Sequence, residues 1–187
     1  NELATIYDNL GLLCIRTNDL KTAEKYFIEA KRISLETKDS LRYAKVLGNY
    51  ADIKIRQNKL EQAFSYLKED ISLSKKLKNN QNTIYGLTKL GKLHISQGNW
   101  LKAYAILREA RIYTEQKEYL LKSAYEINLL ISDVAKHLGN EVEELNARRN
   151  AAEIKNSLTK LDGPEVITRV KLELQRHIYQ SKIETDK

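Results

Sequence analysis

Three alanines held at one spacing, Ala23, Ala63 and Ala103, constrain this chain more than any other feature. The same 40-residue step brings Phe27, Leu67 and Leu107 into register, and behind them Ala30 and Ala110, with Asp70 breaking the series. Leu10-Gly11, Tyr50-Ala51 and Leu90-Gly91 precede them in the same frame, and the turn-type pairs Asn18-Asp19, Asn58-Lys59 and Gly98-Asn99 lie between. A fourth, degraded copy follows at a 41-residue step from Gly98-Asn99 to Gly139-Asn140, with Glu144 where the small alanine belongs. A period of this length signals a stack of supersecondary units, none of which can bury its apolar face alone.

Inside each unit the apolar residues recur at three and four, as in Ile6, Leu10, Leu13 and then Leu20, Ala23, Phe27, Ala30. That is helical spacing on both sides of a turn, so each unit is a helical hairpin. The turns between units fall at Lys38-Asp39-Ser40 and Asn79-Asn80, giving hairpins at about 1–39, 40–79, 80–118 and 119–160. Gly11, Ala51 and Gly91 on the first helices, and Ala23, Ala63 and Ala103 on the second, let two backbones approach closely. With only 7 Gly and 1 Pro in 187 residues, turn-rich β folds and low-complexity linkers are excluded. The one cysteine, Cys14, makes no internal disulfide, so packing alone holds the fold. No apolar run approaches the roughly 18 residues of a bilayer span. The absence of methionine reads as an excised piece of a longer protein, with more repeats before Asn1.

Leu10-Gly11, Ala23, Phe27 and Ala30, repeated as Leu90-Gly91, Ala103, Leu107 and Ala110, resemble the tetratricopeptide repeat in a longer, 40-residue variant. The resemblance covers about residues 4–160; unit two departs at Tyr50, Ala51 and Asp70, and unit four at most positions. It implies an all-α fold, an α-α superhelix or solenoid of stacked antiparallel helix pairs whose concave wall is lined by the first helix of every unit. It also implies a protein or peptide ligand, and a place in the sensory or scaffolding part of a bacterial signal-transduction or transcription-regulatory protein. Asp162-Gly163-Pro164 then breaks the chain, and the stripe Ile167, Val170, Leu174, Ile178 marks 161–187 as a C-terminal capping or connecting helix.

The net charge of +7 is local. Residues 1–40 carry 6 basic and 7 acidic side chains and residues 101–187 carry 15 and 14, whereas residues 41–100 carry 11 and 4. A basic chain invites a nucleic-acid reading. Here, however, Lys75, Lys76 and Lys78 close a helix, where cations oppose its dipole, and no direct nucleic-acid contact is expected. On the family resemblance, the wall consists of Thr5, Asp8, Asn9 and Leu12, then Lys45, Gly48, Asn49 and Asp52, then Tyr85, Thr88, Lys89 and Lys92. Asn9 and Asn49 take the place of the asparagine that contacts the ligand backbone in peptide-binding relatives, a task suited to an amide because it offers a donor and an acceptor together. Asn9, Lys45, Asn49, Asp52, Tyr85, Lys89 and Lys92 are therefore the candidate site, for an acidic peptide or partner segment. Asp8 and Leu12 stand where the carboxylate-clamp version of the repeat needs Lys and Asn, so that ligand class does not carry over.

Nothing in the sequence points to catalysis, a metal or a cofactor. His94, His137 and His177 are isolated, and the nearest pair of metal-type residues, His137 and Glu141, straddles a turn. The glycines are dispersed and form no phosphate loop. Most of the 11 tyrosines, such as Tyr26, Tyr66 and Tyr104, sit where a ring packs between helices with its hydroxyl at the edge; Tyr85, on the wall, is the exception. Two other readings remain open. One is a structural adaptor that self-associates, as a homodimer, through its end units or final helix; the other is a domain that binds a small effector. A single free thiol is compatible with the cytoplasm.

Overall fold

The computed structural model describes residues 2–115 and 120–161, and all its regular elements there are helices. In chain order they are α1 (Glu2–Arg16), α2 (Leu20–Glu36), α3 (Ser40–Arg56), α4 (Leu60–Lys76), α5 (Asn80–Ser96), α6 (Trp100–Thr114), α7 (Leu121–His137) and α8 (Glu141–Leu161). Consecutive helices pack on one another throughout, and contacts between alternate elements run through the first helix of each pair: α1 on α3, α3 on α5, α5 on α7. The first helices therefore form one continuous wall. The helix expected over 161–187 lies outside the described residues from 162 onward.

The turns explain the period. Six helices end with a residue in the left-handed region: Asn18, Lys38, Asn58, Lys78, Gly98 and Gly139, at φ between 54° and 69°. After α1 the Asn18 N–H donates to the Ile15 carbonyl and the Asp19 N–H to the Cys14 carbonyl, the paired bonds of a Schellman motif. The same pair recurs at Lys78 and Asn79, and at Gly98 and Asn99. The residue after the left-handed one then starts the next helix: Asp19, Asp39 and Asn79 accept from the backbone N–H three residues on. One helix plus this three-residue turn spans 20 residues, so the 40-residue repeat is a doubled half-repeat with identical joints within and between units. The passage from α6 to α7 departs from it, since α6 ends at Thr114 and α7 begins only at Leu121.

The small residues do what their spacing requires. A Cβ on Gly11 would stand 2.7 Å from the Phe27 ring, and one on Gly91 would stand 2.7 Å from Leu107. Ala23, Ala63 and Ala103 are fully buried. In unit four Glu144 stays at the helix edge, paired with Arg148, and α8 instead buries the small residues Ala147 and Ala151. Between units one and two, buried Lys54 donates to Glu24 at 2.5 Å, and Gln57 and Tyr50 donate to the same carboxylate. The Lys54 and Gln57 bonds pull the Glu24 carboxyl down to about 2.

Candidate functional site

Asp52, Tyr85, Lys89 and Lys92 come together on the first-helix wall. With Ile55, Thr88, Leu93, Ser96 and Glu126 they line a hollow of about 410 Å³ spanning α3, α5 and α7. The geometry follows from the repeat: Asp52 and Lys92 hold the same position in successive first helices, while Tyr85, Lys89 and Lys92 share one face of α5 at spacings of four and three.

The charges of this hollow are largely matched within it. The Lys89 ammonium donates to the Asp52 carboxylate and to the Gly48 carbonyl, each at 2.8 Å, and lies 4.2 Å from the Tyr85 ring centroid. Its side chain keeps only 12% of its exposure, so Lys89 serves as a strut between α3 and α5. Lys92 pairs with Glu126 of α7 in an open pair, about half exposed on both sides. Tyr85 is 50% exposed. Tyr85 and Lys92 are thus the members of this set most accessible to a ligand.

Asn49 is buried, and its amide donates to Asp8 at 2.9 Å. Arg42 reaches the other oxygen of that carboxylate at 3.5 Å. Burial raises the Asp8 carboxyl above the usual carboxylate range, and the Asn49 bond and the Arg42 charge pull against it. Asn9 is exposed and Lys45 half-buried, and neither lines the hollow.

Sequence reasoning assigned no site role to Asp70, which the structure buries completely on α4. One carboxylate oxygen accepts from Ser74 at 3.1 Å and from Asn82 at 2.6 Å, and the other has no hydrogen-bond partner. A Cβ on Gly48 would stand 2.5 Å from that second oxygen, and one on Gly86 would stand 3.0 Å away. Burial pushes the carboxyl up to about 7, against the pull of Ser74, Lys89 and Asn82. The signal was present in the sequence: a carboxylate at an alanine position, with Gly48 and Gly86 on the two flanking first helices.

Residues 2–76 match the family model of the tetratricopeptide repeat. These are tetratricopeptide repeats. Such repeats are a protein-interaction scaffold, and α1–α4 lie within the matched residues. Among solved structures, BtubC (BKLC) from P. vanneervenii superposes with a TM-score of 0.74 at 20% identity, covering 84% of this chain and 65% of that one. Aspartyl phosphate phosphatase F from Bacillus subtilis superposes with a TM-score of 0.79 at 17% identity, covering 84% of this chain and 41% of that one. At these identities the likeness concerns the fold, and the chain spans less than two thirds of either neighbour's length. No curated protein matches the sequence. No described helix is long and apolar enough to cross a membrane.

Proposed function

We propose that the chain binds a polypeptide segment along the first-helix wall, with Tyr85 and Lys92 as the principal contacts, as the interaction part of a larger regulatory protein. The observation that supports this is the hollow of about 410 Å³ between α3, α5 and α7, where a half-exposed aromatic ring stands beside an open ion pair and the apolar side chains Ile55 and Leu93. A ligand carboxylate replaces Glu126 at Lys92 with little loss, because exposed ion pairs contribute only about 0–1 kcal/mol. Lys89 keeps its place: removing it would leave the Asp52 carboxylate without its ammonium partner.

The test selects peptides from a random dodecapeptide library on the full chain and measures their affinity for variants. Tyr85→Ala weakens wall-bound peptides about tenfold with helicity unchanged. Lys92→Glu shifts selection from acidic toward basic peptides and reverses the salt dependence. If no selected peptide responds to either variant, the wall is not the binding surface.

A second reading, self-association through unit one, has its own observation. Ile6 and Leu13 of α1 are 51% and 55% exposed, whereas the equivalent Val46 and Ile53 of α3 are fully buried in the cluster around Phe27 and Ala30 of α2. α1 thus carries the apolar stripe that in unit two receives the preceding hairpin. Under this reading Ile6→Lys with Leu13→Lys turns a concentration-dependent dimer into a monomer in sedimentation; a wild-type monomer at high concentration excludes it.

A further inference from the structure

Apart from the hollow around Tyr85, a groove of about 810 Å³ runs between α6 and α8 with the start of α7 as its floor. Arg111 and Thr114 of α6 form one side and Glu143, Asn146, Asn150 and Ile154 of α8 the other, over a floor that includes Asn128. Asn128 is 3% exposed, and its amide nitrogen donates to the Ala124 carbonyl at 2.8 Å while its oxygen has no partner. The amide cannot be reversed to cure this, because its oxygen would then face a carbonyl oxygen. A buried acceptor without a donor carries a desolvation penalty that a bound N–H relieves. Asn146 and Asn150 are exposed, and among the described residues neither amide is hydrogen-bonded.

The spacing of these amides selects a ligand. Residues four apart on a helix are about 6 Å apart along its axis, which is the spacing of Asn146 and Asn150. An extended strand repeats every two residues, about 6.6 Å, and turns the N–H and C=O of every second residue to the same side. One side-chain amide satisfies one such N–H and C=O pair, since it donates and accepts at once. From Glu143 to Ile154 the groove wall runs about 16 Å, room for about five extended residues. The Arg111–Glu143 ion pair, at 3.0 Å, crosses the groove at its Glu143 end.

We propose that this groove is a second binding site, which takes an extended polypeptide through its backbone, with Asn146 and Asn150 pairing alternate residues and Asn128 accepting from the segment's buried edge. The wall site reads a side-chain carboxylate and presents an aromatic face; this groove reads the main chain. The two sites share no residues, so substitutions at one leave the contacts of the other in place.

The test uses the full chain and a random hexapeptide library, each selected peptide being resynthesised with a single N-methyl group at each position in turn. N-methylation at alternate residues lowers affinity about tenfold, as it does at the one intervening residue whose N–H meets Asn128, and at the remaining intervening residues it leaves affinity unchanged. Asn146→Leu with Asn150→Leu abolishes the alternation and lowers affinity at least about tenfold, while Tyr85→Ala has no effect. Asn146 and Asn150 are exposed, so unaltered circular dichroism of the double variant separates lost binding from lost folding. The proposal is overturned if no hexapeptide depends on Asn146 and Asn150, or if N-methylation is tolerated at every position. A peptide lost with Tyr85→Ala instead reports the wall.

Discussion

Units one and two bury a carboxylate at the same place in the hairpin but deliver it from opposite helices. In unit one Asp8 comes from the first helix, and the equivalent position on the second is Ala30; in unit two the first helix has Gly48 and the second supplies Asp70. Units three and four place Thr88 and Asn128 at the first-helix position. The repeat therefore fixes a volume rather than a residue, and either helix can fill it. The energetic outcome differs. Asp8 is held by an amide and a guanidinium from the next first helix, whereas Asp70 keeps one oxygen unpaired in a glycine cradle.

The largest expected effect tests that difference through pH. The folded state holds the Asp70 proton to about 7, whereas an aspartate in the unfolded chain loses it near 3.8. Between those values the folded chain binds more protons than the unfolded one, so this contribution is complete at acid pH and falls as pH rises to about 7, by on the order of 4 kcal/mol at most. Asp70→Asn removes that slope and is more stable than wild type above pH 7, with little difference near pH 4. Urea midpoints from pH 4 to 8.5 measure it; parallel wild-type and variant profiles sink the assignment. The burial-raised Asp8 leaves a smaller slope of the same sign in the variant. Glu24, held at about 2, acts in the opposite direction: its contribution is present above pH 4.5 and is lost as pH falls toward 2.

The next effect concerns packing. Gly48→Ala drives a methyl to 2.5 Å from the Asp70 oxygen, an overpacking that costs about 1–3 kcal/mol. Asp70→Ala restores the pattern of Ala30 and Ala110 but deprives Ser74 and Asn82 of their acceptor. Because each change makes room for the other, the double variant is less destabilised than the sum of the singles by about 1–2 kcal/mol. Additive losses would show that Gly48 and Asp70 do not share one volume. Gly11→Ala and Gly91→Ala calibrate the cycle: both methyls arrive 2.7 Å from a side-chain atom, but Gly11 meets three Phe27 ring atoms within 2.9 Å and Gly91 two Leu107 atoms within 2.8 Å, the third at 3.6 Å. Gly11→Ala is expected to cost about 1 kcal/mol more, read from the same urea series.

Much of this was legible in the sequence, and what was not has physical causes. The helical spacing, the hairpins and the small-residue contacts follow from the 40-residue period, because close packing of two helices leaves few residues that fit. Asp52, Tyr85, Lys89 and Lys92 meet on the wall that the family resemblance implied. How those charges pair was not legible: Lys89 finds Asp52 across 37 residues, and Asn49 finds Asp8 across 41. A side chain offered to a ligand and one spent on a neighbouring helix look alike in sequence. The unpaired oxygen of Asn128 is equally silent, although Asp8, Thr88 and Asn128 already form a polar series in one frame. In unit four the frame pointed to Glu144, while the close approach of α8 falls to Ala147 and Ala151, one to two turns further on.

The smallest expected effect sets one backbone conformation against different residue types. The left-handed joint at φ near 55–69° is occupied by Asn at 18 and 58, by Lys at 38 and 78, and by Gly at 98 and 139. A lysine there carries about 1–2 kcal/mol of steric strain, whereas glycine avoids it but gives the unfolded chain about 0.4–1 kcal/mol more entropy to lose. Lys78→Gly also removes a cation from the end of α4, where the helix dipole favours it by about 0.3–1 kcal/mol. The net expectation is a gain of about 0.5 kcal/mol or less for Lys38→Gly and Lys78→Gly, and near zero for Asn18→Gly and Asn58→Gly, since asparagine tolerates this region. Gly98→Ala goes the other way and loses about 1 kcal/mol. Equal responses at the lysine and asparagine joints would mean that the six turns are not equivalent in energy despite their shared geometry. The 20-residue half-repeat would then be a regularity of shape alone.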